Sequence, residues 1–107
     1  MTVQNLETAF SKITEPFSPV AVYSGNGITG QVIKIKGIFH WHRHDSADEF
    51  YVVRSGKFTI HYLDKEVHLG PEDFHVVPKG TVHRGSSEEG AEVLFFGPDD
   101  WIEVDSD

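Results

Sequence analysis

At 107 residues, the chain has the length of one domain with a single hydrophobic core. The absence of cysteine excludes disulfide bonds and thiolate metal sites, and it is compatible with a reducing cytoplasm. A formal net charge of -8 repels phosphate backbones and so argues against a nucleic-acid partner.

The N-terminal segment MTVQNLETAF lacks the basic start and the continuous apolar run of a secretory signal peptide. Elsewhere in the sequence, no apolar run approaches the roughly 20 residues that cross a bilayer. We therefore expect a soluble, cytoplasmic protein without a membrane partner.

In chain order, the first predicted element is a short helix within residues 5–17. Asn5 is a suitable N-cap, and Pro16 would end the helix. The apolar residues between them recur at helical spacing, at Leu6, Phe10 and Ile13.

The rest of the chain predicts an all-β fold. Residues 18–37 have the pattern of a hairpin with a glycine-rich loop. Further short runs, rich in β-branched and aromatic residues, continue to residue 98 with turn residues at intervals of about 8–12 residues. Such a pattern is typical of a β-sandwich or a β-barrel.

The segment HWHRHDSADEF, which begins at His40, carries the strongest functional signal. On a continuous strand, alternate residues share one face, so His40, His42 and His44 would point together, away from Phe39 and Trp41. Histidines in this pattern either line a metal site or form a hydrogen-bonded polar stripe. The pattern by itself leaves both interpretations open.

Glu49 and His83 complete a candidate set of metal ligands. After the turn DSAD, the next strand would return Glu49 beside the histidines, while strand alternation sends the rival acid Asp48 to the opposite face. His83 follows a tight turn that contains Pro78 and Gly80. Three imidazole nitrogens and one carboxylate oxygen suit a first-row divalent ion and leave positions open for water or substrate.

Two segments of the chain resemble the sequence motifs of the cupin family. In GIFHWHRHDSADEFYVVRSG, His42 and His44 fill the His-x-His pair, four residues lead to Glu49, and six more lead to Gly56. The first glycine, Gly37, stands one residue closer to the histidine pair than in the family motif.

The second motif is matched in GPEDFHVVPKGTVHRGS. Pro78, Gly80 and His83 occupy the family positions. Gly70 lies two residues further from the proline than in the motif, and Ser87 stands where the motif has asparagine. The resemblance covers about residues 30–97 and leaves every ligand position intact.

The resemblance implies one cupin domain over residues 1–107, a jelly-roll β-barrel with a short N-terminal helix or extension. It also implies one divalent transition metal (Fe, Mn, Ni, Co, Cu or Zn) bound by His42, His44, Glu49 and His83. Small cupins are often described as resembling mannose-6-phosphate isomerases. Those enzymes are much longer chains, so the resemblance does not imply their activity.

The expected function is that of a divalent-metal-dependent enzyme, of the dioxygenase or isomerase type, acting on a small organic molecule. Glu49 is a candidate base, and His40, one pleat before the ligand pair, is a candidate catalytic residue in the pocket. A non-catalytic small-ligand-binding or sensing module is the alternative, because the same fold hosts both classes. Of the other histidines, His61 is expected to lie nearest the cavity.

Two surface features complete the expectations. Apolar side chains on the outer strand faces need cover from a second sheet or a second chain, and small cupins commonly pair, so we expect a homodimer. These residues are Phe39, Trp41, Phe50 and Val52. The tail at residues 99–107 carries five acids and no base, and we expect it to be a solvated end.

Overall fold

A computed structural model describes residues 3–105 of the chain. These residues form one helix and nine strands. They contain no helix long and apolar enough to cross a membrane. The elements are α1 (Leu6–Ser11), β1 (Val20–Gly25), β2 (Ile28–Ile38), β3 (His42–Arg43), β4 (Glu49–Gly56), β5 (Phe58–Tyr62), β6 (Glu66–Leu69), β7 (Phe74–Val77), β8 (His83–Pro98) and β9 (Ile102–Glu103).

The 16-residue strand β8 organises the antiparallel sheet. Its second half pairs with β2 on one side and with β4 on the other. Its first half pairs with β5 and, through His83 opposite His42, with β3. The register shifts between the two halves, where Ser87 Oγ donates to the Lys57 carbonyl and accepts from the Gly90 N–H. Ser87 thus makes main-chain contacts from the position where the cupin motif has asparagine.

The strand pairing confirms the predicted all-β architecture. Among the described residues, β1, β6, β7 and β9 each pair on one side only, so hydrogen bonds do not close the sheet into a continuous barrel. The sheet folds over on β8 instead, and its inner faces enclose the main core.

Strand β2 is buried on both faces, because a different part of the protein covers each. Ile33 and Ile35 belong to the core enclosed by the sheet. Val32, which points to the other face, packs with Phe10 and Ile13 from the N-terminal segment. The helical segment therefore protects the outer face of β2 from water.

Helix α1 begins where the sequence predicts but ends earlier. The Asn5 side chain accepts a hydrogen bond from the Thr8 N–H at 3.1 Å, as an N-cap does. The helix ends at Ser11, well before Pro16, and Ile13 follows in a turn in which its N–H donates to the Phe10 carbonyl. A proline disfavours the helical conformation only at the residue directly before it, here Glu15, so Pro16 does not determine the end at Ser11.

The predicted strand through His40 is interrupted. Strand β2 ends at Ile38, and residues 39–41 are not in a strand before β3 begins. Simple alternation is therefore lost at this point. Phe39, expected to face away from the ligand histidines, stacks on Phe17 with ring centroids 5.3 Å apart and meets the His42 ring edge-on at 5.5 Å.

The outer face of β4 and β7 carries an apolar patch, as the sequence predicts for Phe50. Phe50 stacks on Phe74 with ring centroids 5.6 Å apart, and Val76 lies opposite Phe50 in the strand register. The side chain of Phe74 is 66% exposed. Because β7 pairs only with β4 among the described strands, the patch continues to a free sheet edge.

The homodimer stays a prediction, and this patch is the surface on which we place it. A second copy of the same patch, related by a twofold axis, would cover both apolar faces. We expect light scattering at micromolar concentration to give a dimer mass for the native protein and a monomer mass for Phe74→Glu. The matched control is Leu63→Glu, an exposed leucine outside the patch, which should stay dimeric. A monomer mass for the native protein would contradict the prediction.

Candidate metal centre

The structure brings the four predicted ligand residues together. The side chains of His42, His44, Glu49 and His83 are all buried, with relative exposures of 7% or less. Each offers one ligand atom, and these atoms lie within 4.8 Å of one another. The group has the size and composition needed to hold one metal ion.

Pairing of two strand ends creates this convergence. His42 lies in β3 and His83 opens β8, and the two residues are direct partners in the antiparallel register. Glu49 opens β4, whose residues 50–56 pair with the second half of β8. Residues far apart in the sequence thus meet because β8 carries both halves of the sheet.

The loop before His83 is attached to the loop before Glu49. The Lys79 N–H donates to Asp48 Oδ1 at 2.9 Å, and the Gly80 N–H donates to the His44 carbonyl at 2.6 Å. Gly80 has a φ of 78°, which favours glycine. Asp48, the rival acid, therefore holds the turn from outside and is not a member of the ligand group.

Three hydrogen bonds determine which imidazole nitrogen faces the centre. The Nδ1 atoms of His42, His44 and His83 each lie 2.6–2.9 Å from a main-chain carbonyl oxygen. The carbonyls belong to His40, Asp100 and Thr81, respectively. A carbonyl only accepts, so each Nδ1 carries a proton, and the Nε2 of each neutral imidazole keeps its lone pair.

The Nε2 lone pairs converge on the Glu49 carboxylate. Glu49 Oε1 lies 3.0 Å from His83 Nε2, and Glu49 Oε2 lies 3.2 Å from His44 Nε2. His44 Nε2 is buried without a directed hydrogen bond. Acceptor atoms this close together need a cation between them, and three imidazoles with one carboxylate suit a first-row divalent metal. The residues present therefore fit the metal that the cupin resemblance implies.

Burial and mutual charge set the protonation states of the group. Burial lowers the pKa of His42 to about 4, and the nearby His83 adds to this effect. Burial would raise the pKa of Glu49, but its contacts with His44 and His83 outweigh it and lower the pKa to about 2. Burial would lower the pKa of His44, but the Glu49 carboxylate outweighs it and raises the pKa, so a proton shared by His44 and Glu49 can take the place of a metal between them. Neutral His42 and anionic Glu49 near neutral pH are the states in which these groups bind metals.

The C-terminal residues 99–104, which we call the C-terminal strap, hold the ligand histidines in place. Strand β9 pairs with β3, with Glu103 opposite His42. The Trp101 ring stacks on the His42 ring with centroids 5.6 Å apart and an interplanar angle of 27°. The Val104 N–H donates to the Trp41 carbonyl at 2.9 Å, so the strap is attached on both sides of Trp101.

Asp100 attaches the strap to the turn after His44. Its carboxylate accepts hydrogen bonds from the Asp45 N–H, at 2.7 Å, and from the Ser46 hydroxyl. Its main-chain carbonyl is the acceptor for His44 Nδ1. The expectation of a wholly solvated acidic tail is therefore wrong for these residues, because they make specific contacts with the ligand loop. The last two residues of the tail lie outside the described part of the chain.

A cavity of about 350 Å³ opens onto the ligand group. Three of the ligands, His42, His44 and Glu49, contribute to its wall. Most of the remaining wall is apolar or aromatic and includes Ile33, Ile35, Phe39, Tyr51, Phe95 and Trp101. A molecule in this cavity would reach the ligand group directly.

The structure places the other histidines away from this cavity. His40 has an exposed side chain and contributes its carbonyl, rather than its ring, to the site. His61, expected nearest the cavity, instead contacts Ser86 and Glu66. His68 contacts Thr59, and His75 contacts the Tyr62 hydroxyl. The catalytic role of the His40 side chain stays a prediction that no contact in the cavity supports.

Sequence reasoning missed three residues at the site. Trp101 and Asp100 reach it from far along the chain, and no local spacing connects them to the histidines. Tyr51 also contacts the site, because its hydroxyl donates to Glu49 Oε1 at 2.6 Å. The i, i+2 spacing of Glu49 and Tyr51 on one strand face is the signal that could have indicated this contact.

Comparisons with known proteins agree with this geometry. The family model described as "Cupin domain" matches residues 31–97. The uncharacterized protein YdbB of Bacillus subtilis (strain 168) is 31% identical over 86 residues, 79% of this chain and 76% of YdbB. The crystal structure of a cupin-2 domain containing protein from Shewanella frigidimarina NCIMB 400 has a TM-score of 0.84 and 28% identity, covering 90% of this chain and 94% of that chain.

A further similarity is to an enzyme. Acireductone dioxygenase of Stenotrophomonas maltophilia (strain K279a) is 36% identical over 69 residues, which are 59% of this chain. The match covers 37% of that enzyme, so the similar region is only part of the larger protein.

Removal of two ligands tests metal binding. We expect protein purified without an affinity tag to contain close to one equivalent of a first-row metal by elemental analysis. The double change His42→Ala with His44→Ala should abolish binding, because it removes two of the converging Nε2 atoms. The matched control, His61→Ala with His68→Ala, removes two histidines away from the cavity and should keep the metal. Full metal content in the first variant would contradict the assignment.

The strap generates a second prediction. Asp100→Ala should weaken metal affinity by about tenfold, because the loop that holds His44 loses its attachment to the strap. Competition with a chromophoric chelator measures the change. Asp105→Ala removes an exposed acid from the same tail and should leave the affinity unchanged. Equal affinities for both variants would indicate that the strap does not position the ligands.

Proposed function

The chain belongs to the cupin domain family, and we propose that it is a divalent-metal-dependent enzyme of the dioxygenase type that acts on a small organic molecule. The observation that carries this proposal is the position of the buried His42, His44, Glu49 and His83 group in the wall of a 350 Å³ cavity. Structural metal sites are usually closed, so a cavity that leads to the ligands favours a site that binds a substrate.

The ligand set supports an open coordination sphere. Four protein ligands leave one or two positions for other molecules on a metal that accepts five or six ligands. A bound first-row metal would supply Lewis acidity and, where it is redox-active, oxygen chemistry. The cavity gives a small molecule access to the side of the group formed by His42, His44 and Glu49.

The contacts of Glu49 with its neighbours support its proposed role as a metal ligand. The Tyr51 hydroxyl donates to its Oε1 atom, and this contact keeps the carboxylate in one orientation. Gly97 makes room for it, because a Cβ atom at that position would lie 3.1 Å from Glu49 Cγ. The lowered pKa of Glu49 keeps its carboxylate anionic, the state in which it binds a metal, and its role as a base stays a prediction.

The apolar wall supports chemistry protected from water. Phe39 and Trp101 lie against His42, with ring centroids 5.5 and 5.6 Å from the imidazole. Such walls exclude bulk water, strengthen the electrostatic interactions of the ligand group and protect reactive intermediates. The sequence similarity to acireductone dioxygenase also supports chemistry of the dioxygenase type, although the similar region is only part of that enzyme.

Activity assays on metal-loaded protein test the proposal. The protein is loaded separately with Fe, Mn, Ni, Co, Cu and Zn, and oxygen uptake is measured with enediols, β-diketones, flavonoids and thiols. Sugar isomerisation is assayed in parallel. We expect oxygen uptake with at least one redox-active metal, and its loss in the variant with His42→Ala and His44→Ala. If a compound binds the metal-loaded protein but is never converted, the protein is a non-catalytic binding or sensing module. Isomerisation without oxygen uptake would contradict the dioxygenase type.

A further inference from the structure

The charges around the cavity all have one sign. Three acidic residues line it: Glu49 at the ligand group and Asp99 and Asp100 beside Trp101. Among the described residues that line the cavity there is no lysine and no arginine. A negatively charged group far from the metal would therefore find no cationic side chain to bind it.

The arginines of the protein are engaged elsewhere. Arg43 forms an ion pair with Asp45, and its Nε lies 3.1 Å from the carboxylate. The Arg54 guanidinium lies over the Phe10 ring on the helix side of the sheet. The Arg84 guanidinium lies 4.2 Å from the centroid of the Trp41 ring. None of these groups lines the cavity.

Aromatic rings form the wall that the body of a ligand would contact. Phe17 and Phe39 stack at 5.3 Å, and Tyr51 and Phe95 stack at 5.5 Å. The neutral polar residues of the wall are Thr29 and Gln31. Thr29 donates to Asp99, so this part of the wall carries negative charge as well.

From these observations we infer that the cavity selects uncharged, largely apolar or aromatic molecules with an oxygen donor for the metal, and rejects molecules that carry a phosphate or carboxylate at their far end. The inference rests on the proposed function, because it takes the cavity to be the substrate site. The volume corresponds to roughly a dozen water molecules, so the substrate is small. Sugar phosphates of the mannose-6-phosphate type are excluded.

A pair of isosteric ligands tests the inference without catalysis. 4-(Hydroxyacetyl)benzamide and 4-(hydroxyacetyl)benzoate share an α-hydroxy ketone that can reach the metal, and they differ only in the charge at the far end. Binding to zinc-loaded protein is measured by titration calorimetry, because zinc is redox-inert. We expect the amide to bind at least tenfold more tightly than the carboxylate, with a smaller difference at high salt, where charges are screened.

Two variants assign the selectivity to the cavity wall. Gln31→Lys introduces a cation and should reduce the difference between the two ligands at least tenfold, whereas Gln31→Met, similar in size but neutral, should preserve it. Asp99→Asn removes one of the repelling charges at an exposed position, so it reduces the difference without disturbing the core. It therefore tests the same inference if the lysine variant fails to fold.

The outcomes separate this inference from the proposed function. Equal binding of amide and carboxylate, or no binding of either to protein that contains its zinc, would overturn the inference about selectivity. The oxygen-uptake assay would be unaffected by that result. Conversely, selective binding without turnover by any metal form would support the inference on selectivity and contradict the proposed enzymatic function.

Discussion

The structure of the site depends on three hydrogen bonds from imidazole Nδ1 atoms to main-chain carbonyls. They direct the Nε2 lone pairs of His42, His44 and His83 toward the Glu49 carboxylate, inside a region from which water is largely excluded. Four acceptor groups are unfavourable together in such a place unless a metal ion or a proton lies among them. Burial removes water from these acceptor groups and so makes them unfavourable without a cation. The same burial would let a bound metal act on a molecule in the cavity without competition from bulk water.

The carbonyl acceptors connect this requirement to the whole fold. One belongs to the segment that leads into β3, one to the loop before β8, and one to the C-terminal strap. Each segment must be in place before its histidine is oriented. This explains why a tail rich in acids, which resembles a solvated end in composition, packs against the metal group through Asp100 and Trp101.

The cavity has the candidate metal ligands on one side, and no lysine or arginine among the described residues lines the rest of its wall. A metal bound by the ligand group would be partly neutralised by Glu49, while Asp99 and Asp100 add negative charge near Trp101. Aromatic rings supply most of the remaining surface. Chemistry at the metal and the choice of ligand therefore depend on different residues, and substitutions can test each separately.

The sequence by itself determined the all-β class, the short N-terminal helix and the four residues that converge in the candidate metal site, because strand periodicity, turn residues and motif spacing are local properties. It was wrong about the face of Phe39 and about the acidic residues of the C-terminal strap. The face of a residue follows from alternation only while the strand continues, and the chain leaves the strand at residues 39–41. Only the tertiary structure decided that Phe39 turns toward the ligand histidines and that Trp101 covers His42, because those contacts depend on how β8 and β9 bring distant segments into register.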